Sequence, residues 1–250
     1  SRRMGKRVLV TGAGSGFGRD ASLALAESGC DVIATTETEA QADALAAAAP
    51  QLRVEKLDIT TDDVHKAAGW DVDVLLNNAG VGFSGPLAEI PLATVQRVFA
   101  VNVFGTLALT QQVLTRMIPR GSGRVLIMSS VGGLVTVPTF GAYTMSKHAL
   151  EAMGKTLRAE LDGTGIDVAL INPGPYATGF NDRMAESMWS WFGDAALQNE
   201  RSAEFRAAGE GITSGQLDPA DVATLIVELV HADSVEPNNV LPPDILAAFG

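Results

Sequence analysis

Arg7-Val8-Leu9-Val10-Thr11-Gly12-Ala13-Gly14-Ser15-Gly16-Phe17-Gly18 decides the fold of this chain. A short apolar strand runs into a glycine-rich turn, and an Ala- and Leu-rich stretch from Asp20 to Ser28 reads as the helix that follows. Gly12, Gly16 and Gly18 allow the tight turn and let backbone amides, with Ser15 and Phe17 among them, approach a pyrophosphate closely. The helix N-terminus beyond favours negative charge. The spacing is GxxxGxG and not GxGxxG, so the strand before it and the helix after it carry the dinucleotide reading.

Working outward, short apolar runs alternate with amphipathic stretches. Val32–Thr35, Val54–Leu57, Val72–Leu76, Val125–Met128 and Val168–Ile171 read as strands. Ala40–Ala48, Leu92 to about Met117 and Tyr143–Leu161 read as helices, while His65–Gly69 is short and weakly helical. Continuous apolar strands separated by helices imply a parallel sheet covered on both faces. The expected fold is α/β, one doubly wound Rossmann-like domain over residues 1–250. Two regions break the alternation. Gly179 to Gly215 is polar yet holds Met184, Met188, Trp189, Trp191 and Phe192, and reads as a long substrate-binding lid with Gly179, Gly193 and Gly209 as hinges. Pro237 to Gly250 reads as an irregular surface tail.

With 250 residues, 46% hydrophobic, the chain can bury a large core. A net charge of −11 argues against nucleic acid and anionic membranes as partners, since both call for clustered Lys and Arg. Uninterrupted apolar runs fall short of the ~18 residues of a membrane span, and Val8–Val10 is too short for a secretory signal. One cysteine, Cys30, permits no internal disulfide, which fits a cytoplasmic location. His65, His148 and His231 lack metal-ligand spacing, so no metal is expected.

Glu37 stands at the end of the second strand, where an acidic side chain would bind the adenosine ribose and repel a 2′-phosphate. That favours NAD over NADP, although Glu37 could equally be a solvated charge at a helix start. Tyr143 and Lys147 are four residues apart, on one helical face. A neighbouring cation favours a phenolate, and a phenol so tuned can exchange a proton with an alcohol or ketone. Ser130 follows a strand, at the end of the sheet where sites on this fold lie.

At these residues the chain resembles the short-chain dehydrogenases/reductases. The resemblance runs from about Lys6 to Thr178 and rests on Thr11-Gly12-xxx-Gly16-x-Gly18, Asp58, Asn77-Asn78-Ala79-Gly80, Asn102, Ser130, Tyr143-xxx-Lys147 and Asn172-Pro173-Gly174, all in the family's order. Lys147-His148-Ala149-Leu150-Glu151-Ala152, with the glycine loop, is similar to the retinol- and hydroxysteroid-dehydrogenase branch. The resemblance implies Tyr143 as general acid/base, Ser130 on the substrate oxygen, Lys147 on the nicotinamide ribose and Asn102 in a proton relay. It implies Asp58, with Ile59, at the adenine and Asn78, Ala79 and Gly80 against the adenosine. Pro173, Gly174, Tyr176 and Thr178 would hold the carboxamide. Asn102 could instead be a satisfied buried amide, and Asp58 a turn residue.

The expected activity is NAD-dependent interconversion of a bulky, uncharged secondary alcohol and its ketone, walled by Phe83, Val131, Tyr176 and the lid's Trp189 and Trp191. An NADP-dependent carbonyl reductase and a non-catalytic dinucleotide-binding regulator are the alternatives. A halohydrin dehalogenase would replace Lys147 with Arg. A homodimer or homotetramer is expected through the two long helices, with Phe99, Val103, Leu107 and Val113 as surplus apolar positions. The C-terminus departs from the family's usual ending, which predicts loss of the last strand.

Overall fold

A computed structural model describes residues 5–192 and 198–249. Seven parallel strands form one sheet: β1 (Arg7–Val10), β2 (Asp31–Thr36), β3 (Arg53–Lys56), β4 (Val74–Asn77), β5 (Gly123–Met128), β6 (Ile166–Pro173) and β7 (Asn238–Leu241). Their order is β3-β2-β1-β4-β5-β6-β7, so the chain reverses direction across the sheet between β1 and β4. That switch point leaves a crevice at the carboxyl ends of the strands.

Strand alternation divides the core. Val8, Val10, Leu76, Leu126 and Ile171 point to one face, beneath α1 (Gly16–Glu27), α2 (Glu39–Ala48) and α8 (Ala220–His231). Leu9, Leu75, Val125, Ile127 and Leu170 point to the other, beneath α4 (Thr106–Arg120) and α5 (Gly141–Glu160). Both faces are therefore dry, which is why these strands read as continuous apolar runs.

The long helix expected from Leu92 is α3 (Leu92–Phe99) and α4 joined by a π-turn over Ala100–Gly105, and the interruption centres on Asn102. Taken as one, Leu92–Arg120 is long and apolar enough to cross a membrane by length and composition. In the fold it lies on the sheet, with Leu109, Val113 and Met117 buried in the core. Val113 is thus a core residue and not surplus surface. The weakly helical connection is a 3₁₀ helix over Asp62–Gly69.

Two expectations are corrected. The C-terminal segment is not an irregular tail, and the sheet keeps its last strand: β7 pairs with β6 from Leu170↔Asn238 to Pro173↔Leu241. Asn238-Asn239-Val240-Leu241 lacks an apolar pattern because backbone pairing, with Asn239 Nδ2 donating to Leu170 O at 3.0 Å, holds it. The stretch from Gly179 is helical where described, as α6 (Phe180–Ser187) and α7 (Gln198–Thr213). Met188, Phe192 and Phe205 make a small core of their own there. Gly209 lies inside α7, so it is no hinge, and Gly193 lies outside the described residues.

Candidate active site

A cleft of about 460 Å³ opens over the carboxyl ends of the strands at the switch point. Every residue expected to contact the dinucleotide lines it except Gly18. Gly18 works behind the wall: a Cβ there would fall 2.4 Å from Gly12 O and 2.4 Å from Asn78 Nδ2. Asn78 Nδ2 donates to Thr11 O at 3.0 Å, and Thr11 Oγ1 accepts from the N–H groups of Asn78 and Ala79, each at 3.0 Å. Thr11 thus welds the end of β4 to the glycine loop, a role the motif alone did not disclose.

The floor of this cleft fits the pyrophosphate of a dinucleotide. Gly16 opens α1 at φ +55°, a left-handed conformation that leaves no side chain between the helix N-terminus and the cleft. Ser15, at the cap position, makes no side-chain capping bond, and the first turn of α1 holds no acidic residue. The N-terminal amide donors therefore meet the cleft with their partial positive charge uncompensated. Opposite Gly16 stands Thr178, and Phe17 packs edge-on against Tyr176, ring centroids 5.9 Å apart. Asp58 lines the cleft as a turn residue too, its Oδ1 accepting from Thr60 N at 2.9 Å and Thr60 Oγ1 at 2.7 Å. Glu37 is exposed on the lining, and Arg19, one turn into α1, lines the same cleft.

At the other end of the cleft lie Ser130, Tyr143 and Lys147. Ser130 caps a 3₁₀ turn after β5, its Oγ accepting from Gly132 N at 2.9 Å. Lys147 is sealed at 4% exposure, with Nζ donating to Met128 O at 2.9 Å and standing 5.4 Å from the Tyr143 ring centroid. Burial pushes the Tyr143 phenol up to about 12, with a hydrogen bond from Ser130 opposing it. This corrects the expectation of a lowered phenol: loss of solvation for the phenolate outweighs the help of neighbouring groups. Burial also draws Lys147 down to about 8, with the Glu151 carboxylate opposing.

Asn102 does not line the cleft. Its Oδ1 accepts from Val81 N at 2.8 Å, and its Nδ2 donates to Val81 O at 2.9 Å and Ser146 Oγ at 3.0 Å. The side chain is the satisfied buried amide of the alternative reading. It pins the π-turn to the strand β4 exit beside Lys147. Trp189 and Trp191 do not line the cleft either. Trp191 lies on Gly85 within a cluster of Ile90, Val98 and Phe83, and Trp189 stacks under Arg206, 3.8 Å from its ring centroid. The lid residues that do face the cleft are Phe180, Asn181 and Arg183, from the first turn of α6. Phe180 follows directly on Thr178-Gly179, which is the signal that could have found it.

The fold and cleft define a dinucleotide-binding α/β protein with Ser130, Tyr143 and Lys147 at one end of the cleft. A family model described as short chain dehydrogenase matches residues 6–189. The chain is 37% identical over 190 residues to YbbO, an uncharacterized oxidoreductase of Escherichia coli (strain K12), covering 74% of this chain and 71% of that one. It is 32% identical over 250 residues to retinol dehydrogenase 8 of Bos taurus, covering 90% and 78%. A short chain dehydrogenase/reductase from Burkholderia phymatum, solved in complex with NAD, superposes with a TM-score of 0.81 at 29% identity, covering 99% of this chain and 92% of that one. The chain belongs to the short-chain dehydrogenase/reductase family, near its retinol dehydrogenase-like branch, and is an NAD(P)-dependent oxidoreductase acting on CH–OH groups.

Proposed function

We propose that the protein interconverts a bulky, uncharged secondary alcohol and its ketone, with NAD as cofactor and Tyr143 as general acid/base. One observation carries this: Tyr143 and Lys147 stand one turn apart on α5 and, with Ser130, line one end of a cleft whose far end fits a pyrophosphate. When bound, the nicotinamide supplies the hydride chemistry. The chain supplies the rest. The Gly12–Gly16 loop and the α1 N-terminus would hold the pyrophosphate, Asp58 and Asn78–Gly80 the adenosine, Lys147 the second ribose, and Pro173, Gly174 and Thr178 the carboxamide.

Ser130 Oγ would donate to the substrate oxygen and set it against Tyr143 Oη. With its phenol pushed up to about 12, Tyr143 keeps its proton at neutral pH, the form that donates to a ketone oxygen during reduction. For oxidation the phenol must first lose that proton, and the Lys147 ammonium steadies the phenolate. Asn102 holds Val81 and Ser146 in register around this pair.

The apolar wall is Phe180 with Val81 and Tyr176, and the first helix of the 179–215 segment covers the site as a cap. The name of the bovine relative, a retinol dehydrogenase, agrees with an apolar alcohol. Glu37 supports NAD by like-charge repulsion of a 2′-phosphate. Arg19 on the same lining supports the second reading, an NADP-dependent carbonyl reductase. A panel of secondary alcohols and ketones, followed by nicotinamide absorbance with both cofactors in parallel, separates them. Turnover with no member of the panel contradicts both. We place the protein in the cytoplasm, on its single cysteine. We also read it as a homodimer pairing the α3–α4 and α5 faces, on which Leu92 is 70% and Phe104 is 64% exposed. A monomeric mass by light scattering would contradict that pairing.

A further inference from the structure

Arg183, in the first turn of α6, is exposed and lines the same cleft as the glycine loop. Its guanidinium folds back over Gly179: a Cβ on Gly179 would fall 2.8 Å from Arg183 Nη1. Gly179 stands at φ +80°, so its backbone and the guanidinium above it both call for glycine. The residue before it, Thr178, faces Gly16 across the cleft, its Cβ 3.5 Å from where a Gly16 Cβ would lie. The guanidinium therefore stands on the wall opposite the N-terminus of α1.

The side chains around Arg183 are tied elsewhere. Gln216 Nε2 donates to Asp182 Oδ2 at 3.1 Å, and Asn181 Nδ2 donates to Gln216 Oε1 at 3.3 Å. Met184 fills the notch at Gly82, where a Cβ would fall 2.5 Å from its Sδ, and Ser84 N donates to Ser187 Oγ at 2.9 Å. Both ends of α6 are thus fixed over the cleft. Among the described residues no carboxylate pairs with Arg183. The other sealed or charged groups of the lining are committed or remote: Lys147 donates to Met128 O, Arg19 and Glu37 stand on the glycine-loop side, and Asp58 holds its own turn. A helix N-terminus offers about half an elementary positive charge. A dianionic pyrophosphate laid on it keeps most of its charge unmatched, and a guanidinium is the side chain whose planar fork suits phosphate oxygens.

We propose that Arg183 is a cofactor-binding residue that closes the pyrophosphate site from the α6 side, on the phosphate nearer the nicotinamide. The proposal rests on the dinucleotide reading of the cleft given above. The choice of phosphate follows from the neighbours of Arg183. Thr178 belongs to the wall that would hold the carboxamide, and Phe180, in the same turn, touches the Tyr143 ring. The adenosine-side phosphate falls instead to the amides of the Gly12–Gly16 loop. Phe180 and Arg183 are three residues apart and share one face of α6. The helix that walls the substrate thereby also holds the cofactor.

Calorimetric titration of the protein with NADH, ADP and AMP, without substrate, tests this. AMP ends at the adenosine-side phosphate, whereas ADP carries the next one. Arg183→Gln should weaken NADH and ADP about tenfold each and AMP by less than about twofold. Arg183→Lys, which keeps the charge but not the fork, should recover part of the loss. The ADP Kd of the parent should rise more steeply with added NaCl than that of Arg183→Gln. If the parent binds NADH and Arg183→Gln leaves the NADH and ADP affinities unchanged, the role of Arg183 alone is overturned. Equal losses for ADP and AMP, or a loss for NADH without one for ADP, would also overturn it, since the contact would then not be to the second phosphate. A parent that binds neither NADH nor ADP would overturn the dinucleotide reading, and this proposal with it. Should Arg183→Gln not fold, Arg183→Met carries the same test with the same outcomes.

Discussion

The ring of Phe180, first residue of α6, lies 5.7 Å from the ring of Tyr143, with 51° between their planes. An apolar surface therefore stands directly beside the phenol that would exchange the substrate proton. Phe180→Ala should raise KM for a bulky, apolar secondary alcohol about tenfold or more, the effect of roughly 1.4 kcal/mol of lost contact. KM for 2-propanol, too small to span the gap, should change by less than about threefold. Equal changes for both substrates would remove Phe180 from the substrate wall.

Trp191→Ala should act on stability and not on substrate choice. The indole covers Gly85, where a Cβ would fall 2.3 Å from Trp191 Cζ2, and packs with Ile90 and Val98. Truncation leaves a cavity worth roughly 2–3 kcal/mol. A lowered Tm with unchanged KM is the expected pair of results, and a KM effect without loss of Tm would restore the tryptophan to the site.

Cofactor choice should follow Glu37 and Arg19 together. NAD should exceed NADP in kcat/KM by at least about tenfold, or about 1.4 kcal/mol. Glu37→Arg should narrow the gap by removing like-charge repulsion at the 2′ position, and Arg19→Ala should widen it. Better use of NADP by the unaltered protein would favour the carbonyl reductase reading.

Asp63 ties the 3₁₀ helix to the Asp58 turn on the cleft: it pairs with Lys56 and with Lys66 (3.1 Å), and accepts from Asp58 N at 3.1 Å. The Lys56 hydrogen bond holds its carboxyl well below the usual carboxylate range. A carboxyl depressed in the folded state adds stability that is present above its unfolded value of about 3.9 and lost as pH falls through the folded one. Asp63→Asn should therefore lower Tm at pH 7, and the difference should shrink as pH falls below about 4. A difference in Tm that does not change with pH would show that the ion pair is not its source.

The strands and the glycine loop were legible because both faces of the sheet are dry, which writes each central strand as an unbroken apolar run. Ser130, Tyr143 and Lys147 were legible because their spacing is local or set by one strand and one helix. The last strand was not, since Asn238 and Asn239 are held by amides and backbone pairing that no periodicity encodes. Phe180 and the tryptophans were confused because the 179–215 segment carries its own small core, and composition cannot tell which aromatic faces the cleft. The raised phenol could not be read from a neighbouring lysine, because burial dominates both groups.

The central claim is that Tyr143 is the acid/base group, and Tyr143→Phe tests it most directly when turnover and NADH binding are measured on the same preparation. Removing one hydroxyl leaves the ring on Phe180 and the ammonium of Lys147 in place. The account predicts loss of kcat by about 10²-fold or more, with the NADH Kd from fluorescence titration within a few-fold of the parent. Retention of most of the parent's kcat by the folded variant would contradict it.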